Sequence, residues 1–359
     1  MVTVRCIMME KNEEVLLEPW ILYHAHLFGF ENLTILDNGS TNQRVQTLLN
    51  KYEKRGCHII RSFTERQNFV DKGKIITEII QEWDRSHEPY DFAVPLDCDE
   101  FLAFFDQKIL MNRDDILAEF RHLKKYDGTF LLHRILMNDP VNMGLFYPQI
   151  IRKSFFKKNT LVGLDNGYHE PVTIYDDKMI WTGFVYIHLH NRYDFLELKR
   201  FSSEKLMPFI ELLNGETLKN YTGIGSHLVA DFFHTEEDYK YQYRDKGLLY
   251  GGEFIAKLQN LGCGLQEIFG QEAYSSQSYH NITQFYHQYN IQYHLISFKE
   301  KDSSTVEFYD EKFYRHNNPD VHDHSFFKIW PLVHFINYGY YEGRKGSGLT
   351  LQAFSSDVS

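Results

Sequence analysis

The chain is poor in cysteine, in positive charge and in long apolar runs. Cys6, Cys57, Cys98 and Cys263 are the only four cysteines in 359 residues. Their wide spacing fits neither a zinc pattern nor a disulfide framework, so reduced thiols in a cytoplasmic protein are expected. Lys and Arg number 38 against 49 Asp and Glu, a net charge of −11. That deficit argues against a nucleic-acid partner. No stretch of about 18 apolar residues occurs, so no transmembrane segment is expected. The opening residues, broken by Arg5, read as a strand and not as a signal peptide.

What is present is ordinary for a globular chain: 43% hydrophobic and 24% charged residues. Aromatics are plentiful at 16%, which suits core filling and also carbohydrate or nucleotide pockets. Val2–Met9 reads as a strand. A helix to Phe28 follows, with Asn12 as a candidate N-cap or with a later start near Pro19, and Gly29 ends it. Its stripe is Leu16, Trp20, Tyr23 and Leu27. Strands over 33–36, 57–63 and 90–96 alternate with helices over 43–54 and 69–83, the pattern of a doubly wound α/β sheet. In such sheets ligands bind outside the carboxyl ends of the strands. Three polar clusters fall there: Lys11-Asn12-Glu13, Asp37-Asn38-Gly39-Ser40, and Asp97 to Glu100.

The last cluster ends a buried run, Phe92 to Leu96, in which Pro95 disfavours full pairing. Alternation places Asp97 and Asp99 on one side of an extended segment. Adjacent carboxylates repel unless a cation lies between them. Oxygen-rich sites of this kind suit Mg²⁺ or Mn²⁺. A bare Asp-x-Asp is equally what a solvated acidic turn looks like.

Four segments in order, Asn12-Glu13, Trp20-Ile-Leu-Tyr-His24, Leu36-Asp-Asn-Gly-Ser-Thr41 and Leu96-Asp-Cys-Asp-Glu-Phe101, resemble the GT-A fold glycosyltransferases of the branch related to family 2. The resemblance covers about residues 1–210. It implies a GT-A doubly wound mixed sheet and a mostly helical C-terminal region, divided as 1–235 catalytic domain, 236–300 helical extension and 301–359 small helical module. It implies transfer of a sugar, with inversion, from a nucleotide-sugar donor (UDP-linked is expected) to a carbohydrate or lipid-linked glycan acceptor. Asn12 and Glu13 would lie near the base, Asp37 at uracil or ribose, and Asp97 and Asp99 at the ribose and a Mn²⁺- or Mg²⁺-bound diphosphate. Glu100 would orient the site. Gln67 matches a position ahead of the 69–83 helix, where Lys72 and Lys74 are additional cations, either solvated or within reach of the diphosphate. A late histidine is expected as metal ligand: His188, with His190 next and His227 third.

Inversion needs a carboxylate to accept the acceptor proton. Glu170, Asp165 and Asp139 are the candidates, in that order. In this class Met143–Tyr147 would form a loop over the acceptor, and Ile150–Phe156 a strand near it. That strand carries Arg152 and Lys153, which equally suit a charged edge. Phe195–Leu213, Tyr239–Asp245 and Phe254–Leu261 read as helices, and Tyr274–Asn281 as a loop. Asn318-Pro-Asp-Val321 and Gly339-Tyr-Tyr-Glu-Gly-Arg344 resemble a small module found on bacterial surface-polysaccharide glycosyltransferases. Its expected core is Phe313, Tyr314, Val321, Trp330, Phe335 and Tyr338. Cytoplasmic placement with peripheral inner-membrane contact follows from the same analogy. The alternatives are a nucleotide-sugar or glycan-binding protein without turnover, and a nucleotidyltransferase. The latter normally has a glycine-rich, Arg-bearing loop by its first strand, which Lys11-Asn12-Glu13 is not.

Overall fold

A computed structural model describes residues 2–86, 89–106, 108–175, 178–207, 209–210, 214–223, 225–242, 247–270, 294–300 and 303–349. The first part alternates β1 (Val4–Glu10), α1 (Leu17–Phe28), β2 (Leu33–Asp37), α2 (Gln43–Glu53), β3 (His58–Ile60), α3 (Arg66–Val70), α4 (Lys72–Arg85) and β4 (Phe92–Pro95). The four strands are parallel in the order β3-β2-β1-β4. Helices cover both faces: Cys6 and Met8 pack on the α1 and α2 side, Ile7 and Met9 on the α4 side. A strand buried on both faces must be apolar throughout, hence the continuous runs in the sequence. Strand order reverses between β1 and β4, so their carboxyl ends open a crevice of the kind that receives ligands.

α1 starts at Leu17, with Pro19 in its first turn, and the expected stripe of Leu16, Trp20, Tyr23 and Leu27 is buried. Asn12 does not cap it. With φ +53, Asn12 accepts the N–H groups of Thr41 and Asn42 at 2.8 and 3.0 Å, stitching the turn after β1 to the turn after β2. Gly29, at φ +94, ends the helix where a side chain would be strained. The 69–83 helix is broken into α3 and α4 at Asp71.

The second part comprises β5 (Glu100–Asp106), β6 (Lys108–Leu110), α5 (Arg113–Leu123), β7 (Thr129–Asn138), β8 (Leu145–Lys157), β9 (Leu161–Gly163), β10 (Val172–Thr173), β11 (Met179–Trp181) and β12 (Phe184–His188). The sheet continues β4-β8-β7-β12-β5-β6. β8 is antiparallel to both β4 and β7, while β7 and β12 run parallel. On its other side β8 meets a later strand, Leu248–Tyr250, at Leu145 and Phe146 and β4 at Phe156 and Lys157, and between these pairings Lys153 is buried. β8 begins at Leu145, so Leu145 to Tyr147 are strand and not loop, while Met143 lies in the turn before it, buried in the core. β4 pairs with β1 as far as Pro95 but with β8 only at Phe92 and Ala93. The missing N–H of Pro95 thus falls where the second partner has already left.

The remainder is α6 (Phe195–Leu206), α7 (Gly215–Lys219), α8 (Ala230–Phe233), α9 (Glu236–Tyr241), β13 (Leu248–Tyr250), α10 (Gly252–Asn260), α11 (Leu265–Phe269), β14 (His294–Glu300), β15 (Ser303–Tyr309), α12 (Glu311–Asn317), α13 (Pro319–Asp323) and α14 (Pro331–His334). β13 adds to β8, and β14 and β15 follow it as an antiparallel ribbon. The loop expected at 274–281 lies outside the described residues. Tyr314, Val321, Trp330 and Phe335 are buried as expected, Phe313 is half-buried, and Tyr338 is 51% exposed. The module lies on the sheet: Trp330 meets Phe105 edge-on at 5.3 Å, and Arg134 of β7 lies 3.5 Å from Glu311. One continuous core runs from Val2 to Ile336. Among the described residues no helix is long and apolar enough to cross a membrane.

Candidate active site

The Asp97 to Glu100 segment is not extended. Cys98 and Asp99 form a turn, closed by a Glu100 N–H to Asp97 O bond of 3.0 Å, and Glu100 opens β5. This corrects the expectation that Asp97 and Asp99 share one side. The turn sends the two carboxylates to different neighbours. Two residues of α1 hold it in place: the Tyr23 hydroxyl donates to Leu102 O at 2.8 Å, and His24 Nε2 accepts the Leu102 N–H at 3.4 Å. Burial drives the His24 pKa down to about 3. Its Nδ1–H faces Trp20 O at 2.9 Å, so His24 is a neutral strut.

Asp97 faces cations. Lys72 Nζ lies 2.6 Å from its Oδ1 and Lys153 Nζ 3.4 Å from its Oδ2, while Lys153 also reaches Glu100 Oε1 at 2.8 Å. Burial opposes ionisation of Asp97, but Lys72 and Lys153 outweigh it and hold the pKa below the ordinary range. Lys72 heads α4, and its neighbour Gly73 is required there. A Cβ at position 73 would run into the Leu164 carbonyl oxygen, and Asn166 Oδ1 accepts the Gly73 N–H at 2.8 Å. This close approach brings in Tyr168. It is buried at φ +62, with its ring 4.8 Å from Lys72 Nζ and 5.2 Å from Lys153 Nζ. Its buried hydroxyl has no hydrogen bond among the described residues. Positive φ at a bulky side chain costs on the order of 1–3 kcal/mol, and such strain gathers at working sites.

Asp99 faces imidazoles. β12 is antiparallel to β5 with His188 opposite Glu100, and Leu189 N–H donates to Asp99 O at 2.8 Å. His188 Nε2 stands 3.3 Å from Asp99 Oδ1, with His190 Nδ1 at 3.8 Å and Lys205 Nζ of α6 at 3.7 Å from Oδ2. Both Asp99 oxygens are buried, and among the described residues neither accepts a hydrogen bond of good geometry. One ligand atom from each of Asp99, His188 and His190 lies within 4.8 Å of the others. Burial opposes ionisation of Asp99 too, yet Lys205 and His188 keep it charged, with its pKa well below the usual value. Burial pushes His190 down to about 4, so it is neutral, with a lone pair to offer. A carboxylate and two imidazoles gathered this closely fit a divalent cation.

The other expected residues lie as follows. Glu13 accepts from Arg192 at 2.9 Å in a buried pair that ties the loop after β1 to the segment after His190. Asp37 ends β2 and accepts from Ser40 N–H at 2.7 Å and Gln46 Nε2 at 3.0 Å. Gln67 is on the surface beside Asp71, and Lys74 points to solvent beside Glu78. Of the two lysines in α4, Lys72 reaches the site. Asp165 accepts the N–H groups of Gly167 and Glu170, and the largely exposed Glu170 pairs with Arg152. Asp139 is buried just past β7, whose Met137 is in register with His188. There Asn138 and Asn191 exchange amide bonds of 2.6 and 2.9 Å, which sets Asp139 next to the histidine strand. His227 packs on His190 at 5.9 Å. Sequence reasoning missed Lys205 and Tyr168 and read Lys153 as part of a basic cluster. A lone lysine on a distant helix leaves no local signal.

No family model matches this chain, and no curated protein does. Among solved structures the chain is similar to S. aureus TarS, with 10% identity over 65% of this chain and 43% of that one, TM-score 0.34. It is similar also to S. aureus TarS 1–349 in complex with UDP (9% identity, 86% of this chain and 98% of that one, TM-score 0.32). A third is glucosyl-3-phosphoglycerate synthase from Mycobacterium tuberculosis in complex with Mn²⁺, UDP and phosphoglyceric acid (13% identity, 58% and 78%, TM-score 0.31). The chain thus spans 43% of the length of the first of these.

Proposed function

We propose that this chain is a metal-dependent glycosyltransferase that moves a sugar from a UDP-linked donor to a carbohydrate acceptor. The observation that carries the reading is Asp99. Its carboxylate is ionised and buried, accepts no hydrogen bond of good geometry among the described residues, and sits between two imidazoles at the crevice where strand order reverses. Asp99, His188 and His190 would hold Mn²⁺ or Mg²⁺. When bound, such an ion supplies the charge that stabilises a departing nucleoside diphosphate.

The surrounding charge suits that ligand. Lys72, Lys153, Lys205 and Arg192 stand against Asp97, Asp99, Glu100 and Glu13. These four cations offset those four carboxylates, and a divalent ion would add two positive charges facing a diphosphate. Lys72 and Lys153 are already oriented by Asp97 and need little reorganisation to meet phosphate oxygens. Asp37 and the Asn12 stitch shape the nucleoside end of the crevice. Asp139 is the acid proposed to accept the acceptor proton: like Asp165 it accepts N–H groups within its own turn, those of Val141 and Asn142 at 2.7 and 2.8 Å, but it alone of the three follows the strand in register with His188, and Glu170 is engaged with Arg152 in solvent. The resemblance of the sequence motifs supports inversion and a role in surface polysaccharide synthesis.

Incubation with UDP-sugars and Mn²⁺ is expected to release UDP. Asp99→Ala should lower release by about a hundredfold or more, and His190→Ala should weaken Mn²⁺ binding by about tenfold or more in calorimetry. Donor binding without release would point instead to a binding protein, and Mn²⁺ binding unchanged in both variants would remove the ion from this site.

A further inference from the structure

A cleft of about 500 Å³ opens where the C-terminal module meets the sheet, and His133, Arg134, Trp181, Arg315, Lys328 and Ile329 line it. It lies away from the Asp99 group. Thr182 and Gly183 precede β12, and His188 ends that strand; at about 3.3 Å per residue the two places are roughly 16 Å apart.

Trp181 is 54% exposed and lies flat on the His133 ring, with centroids 3.7 Å apart and planes 11° apart. His133 takes one face of the indole, and the other is open to the cleft. His133 is 8% exposed, and its buried Nδ1 has no hydrogen bond among the described residues. Neighbours on a strand normally face opposite ways, yet His133 and Arg134 both line the cleft. The β7–β8 register shifts between Leu132 and Arg134, and a bulge of this kind re-aims a side chain.

The other wall is cationic. Arg315 grips Glu311 through Nε at 3.1 Å and a terminal nitrogen at 2.8 Å, and Arg134 stands 3.5 Å from the same carboxylate. Exposed Lys328 has no ion pair among the described residues. Three fixed positive charges thus face one negative in a chain of net charge −11. Excess charge of the minority sign, gathered in a concave wall, focuses an anion.

We infer that this cleft binds an anionic carbohydrate, a sugar ring stacked on Trp181 with its phosphate or carboxylate at Lys328 and Arg315. The anion follows from the cleft alone. The choice of a sugar over another flat ring rests on the transfer reading above. A hexose presents a face of C–H bonds to the electron-rich indole, and a cleft of this volume is within the ordinary range for small ligands, about 300–1,000 Å³.

The test is a calorimetric titration of the full chain in EDTA, without donor. Tetragalacturonate and a phosphorylated maltotetraose serve as the carboxylate and phosphate arms, maltotetraose as the neutral control and UMP as the nucleotide control. At least one anionic tetrasaccharide should bind about tenfold or more tightly than maltotetraose. Trp181→Ala and Lys328→Glu should each weaken it at least about fivefold, with melting temperature unchanged in the exposed lysine variant. The inference fails if neither anionic saccharide binds, if the neutral one binds as well, or if both variants leave binding intact. It fails also if UMP is the ligand those variants weaken. The titration contains neither donor nor divalent ion, so its failure and a failure of UDP release are separate results.

Discussion

At the residue scale, burial gives side chains of one type different work. Glu10, at the end of β1, is 3% exposed, and burial pushes its pKa up to about 8. Glu13, three residues on, has Arg192 and is held as a buried ion pair. Glu10 therefore carries a proton at neutral pH in the folded chain and loses it near 4.3 when unfolded. Between those values the unfolded state binds fewer protons, so stability falls as pH rises from about 4.5 to 8, by at most about 5 kcal/mol. Urea titrations at a series of pH values should show that decline, and Glu10→Gln should flatten it. An unchanged slope in the variant would place the titrating group elsewhere. His24 and the pair His188 and His190 make the same point. His24 is spent on the Leu102 N–H, whereas His188 and His190 stand around the buried Asp99 carboxylate.

At the element scale, the site depends on how closely α4 approaches the loop before Tyr168. Gly73 permits that contact, and through it Lys72 meets Asp97. In Gly73→Ala the added carbon meets backbone and not a yielding side chain, so α4 or the loop must move. A cost of about 1–3 kcal/mol is expected, together with weaker UDP binding at unchanged Mn²⁺ affinity, because Asp99, His188 and His190 are held by the turn before β5 and the end of β12. Calorimetry with each ligand separately checks this. Equal losses of both ligands would mean that the two halves of the site move as one. The break between α3 and α4 was invisible in the apolar periodicity, since Asp71 interrupts neither stripe. The strand at Glu100–Asp106 was hidden for a related reason: its first residue is a buried carboxylate, which its partner Lys153 makes tolerable.

At the scale of the whole molecule, the C-terminal module is part of the body it covers. Trp330 packs on Phe105, Phe335 on Phe298 at 5.7 Å, and Glu311 neutralises Arg134. Burial works against the Arg134 charge and lowers its pKa even with Glu311 present. Ending the chain after Asp310 exposes that apolar surface and leaves Arg134 unpaired, which alone costs about 3 kcal/mol or more. The shortened chain should lose its cooperative unfolding transition and aggregate, as calorimetry and light scattering would show. A soluble fragment with an unchanged melting temperature would mean that the module folds apart from the sheet.

The alternation of strand and helix over the first hundred residues, and the gathering of polar clusters at strand ends, were legible in the sequence. Both rest on local patterns of apolar spacing and on where Gly, Pro and Asn fall. Asp99 and His188 come together, as the motifs led one to expect, but His190 stands third beside them and Asp97 turns to Lys72 and Lys153. Which carboxylate meets which partner was not legible, because the turn at Cys98 and Asp99 is imposed by hydrogen bonds closed within it and by Tyr23 and His24 on another element. Only tertiary packing could bring Lys72, Lys153 and Lys205 from three separate elements onto that turn, since charge pairing across a fold has no period along the chain.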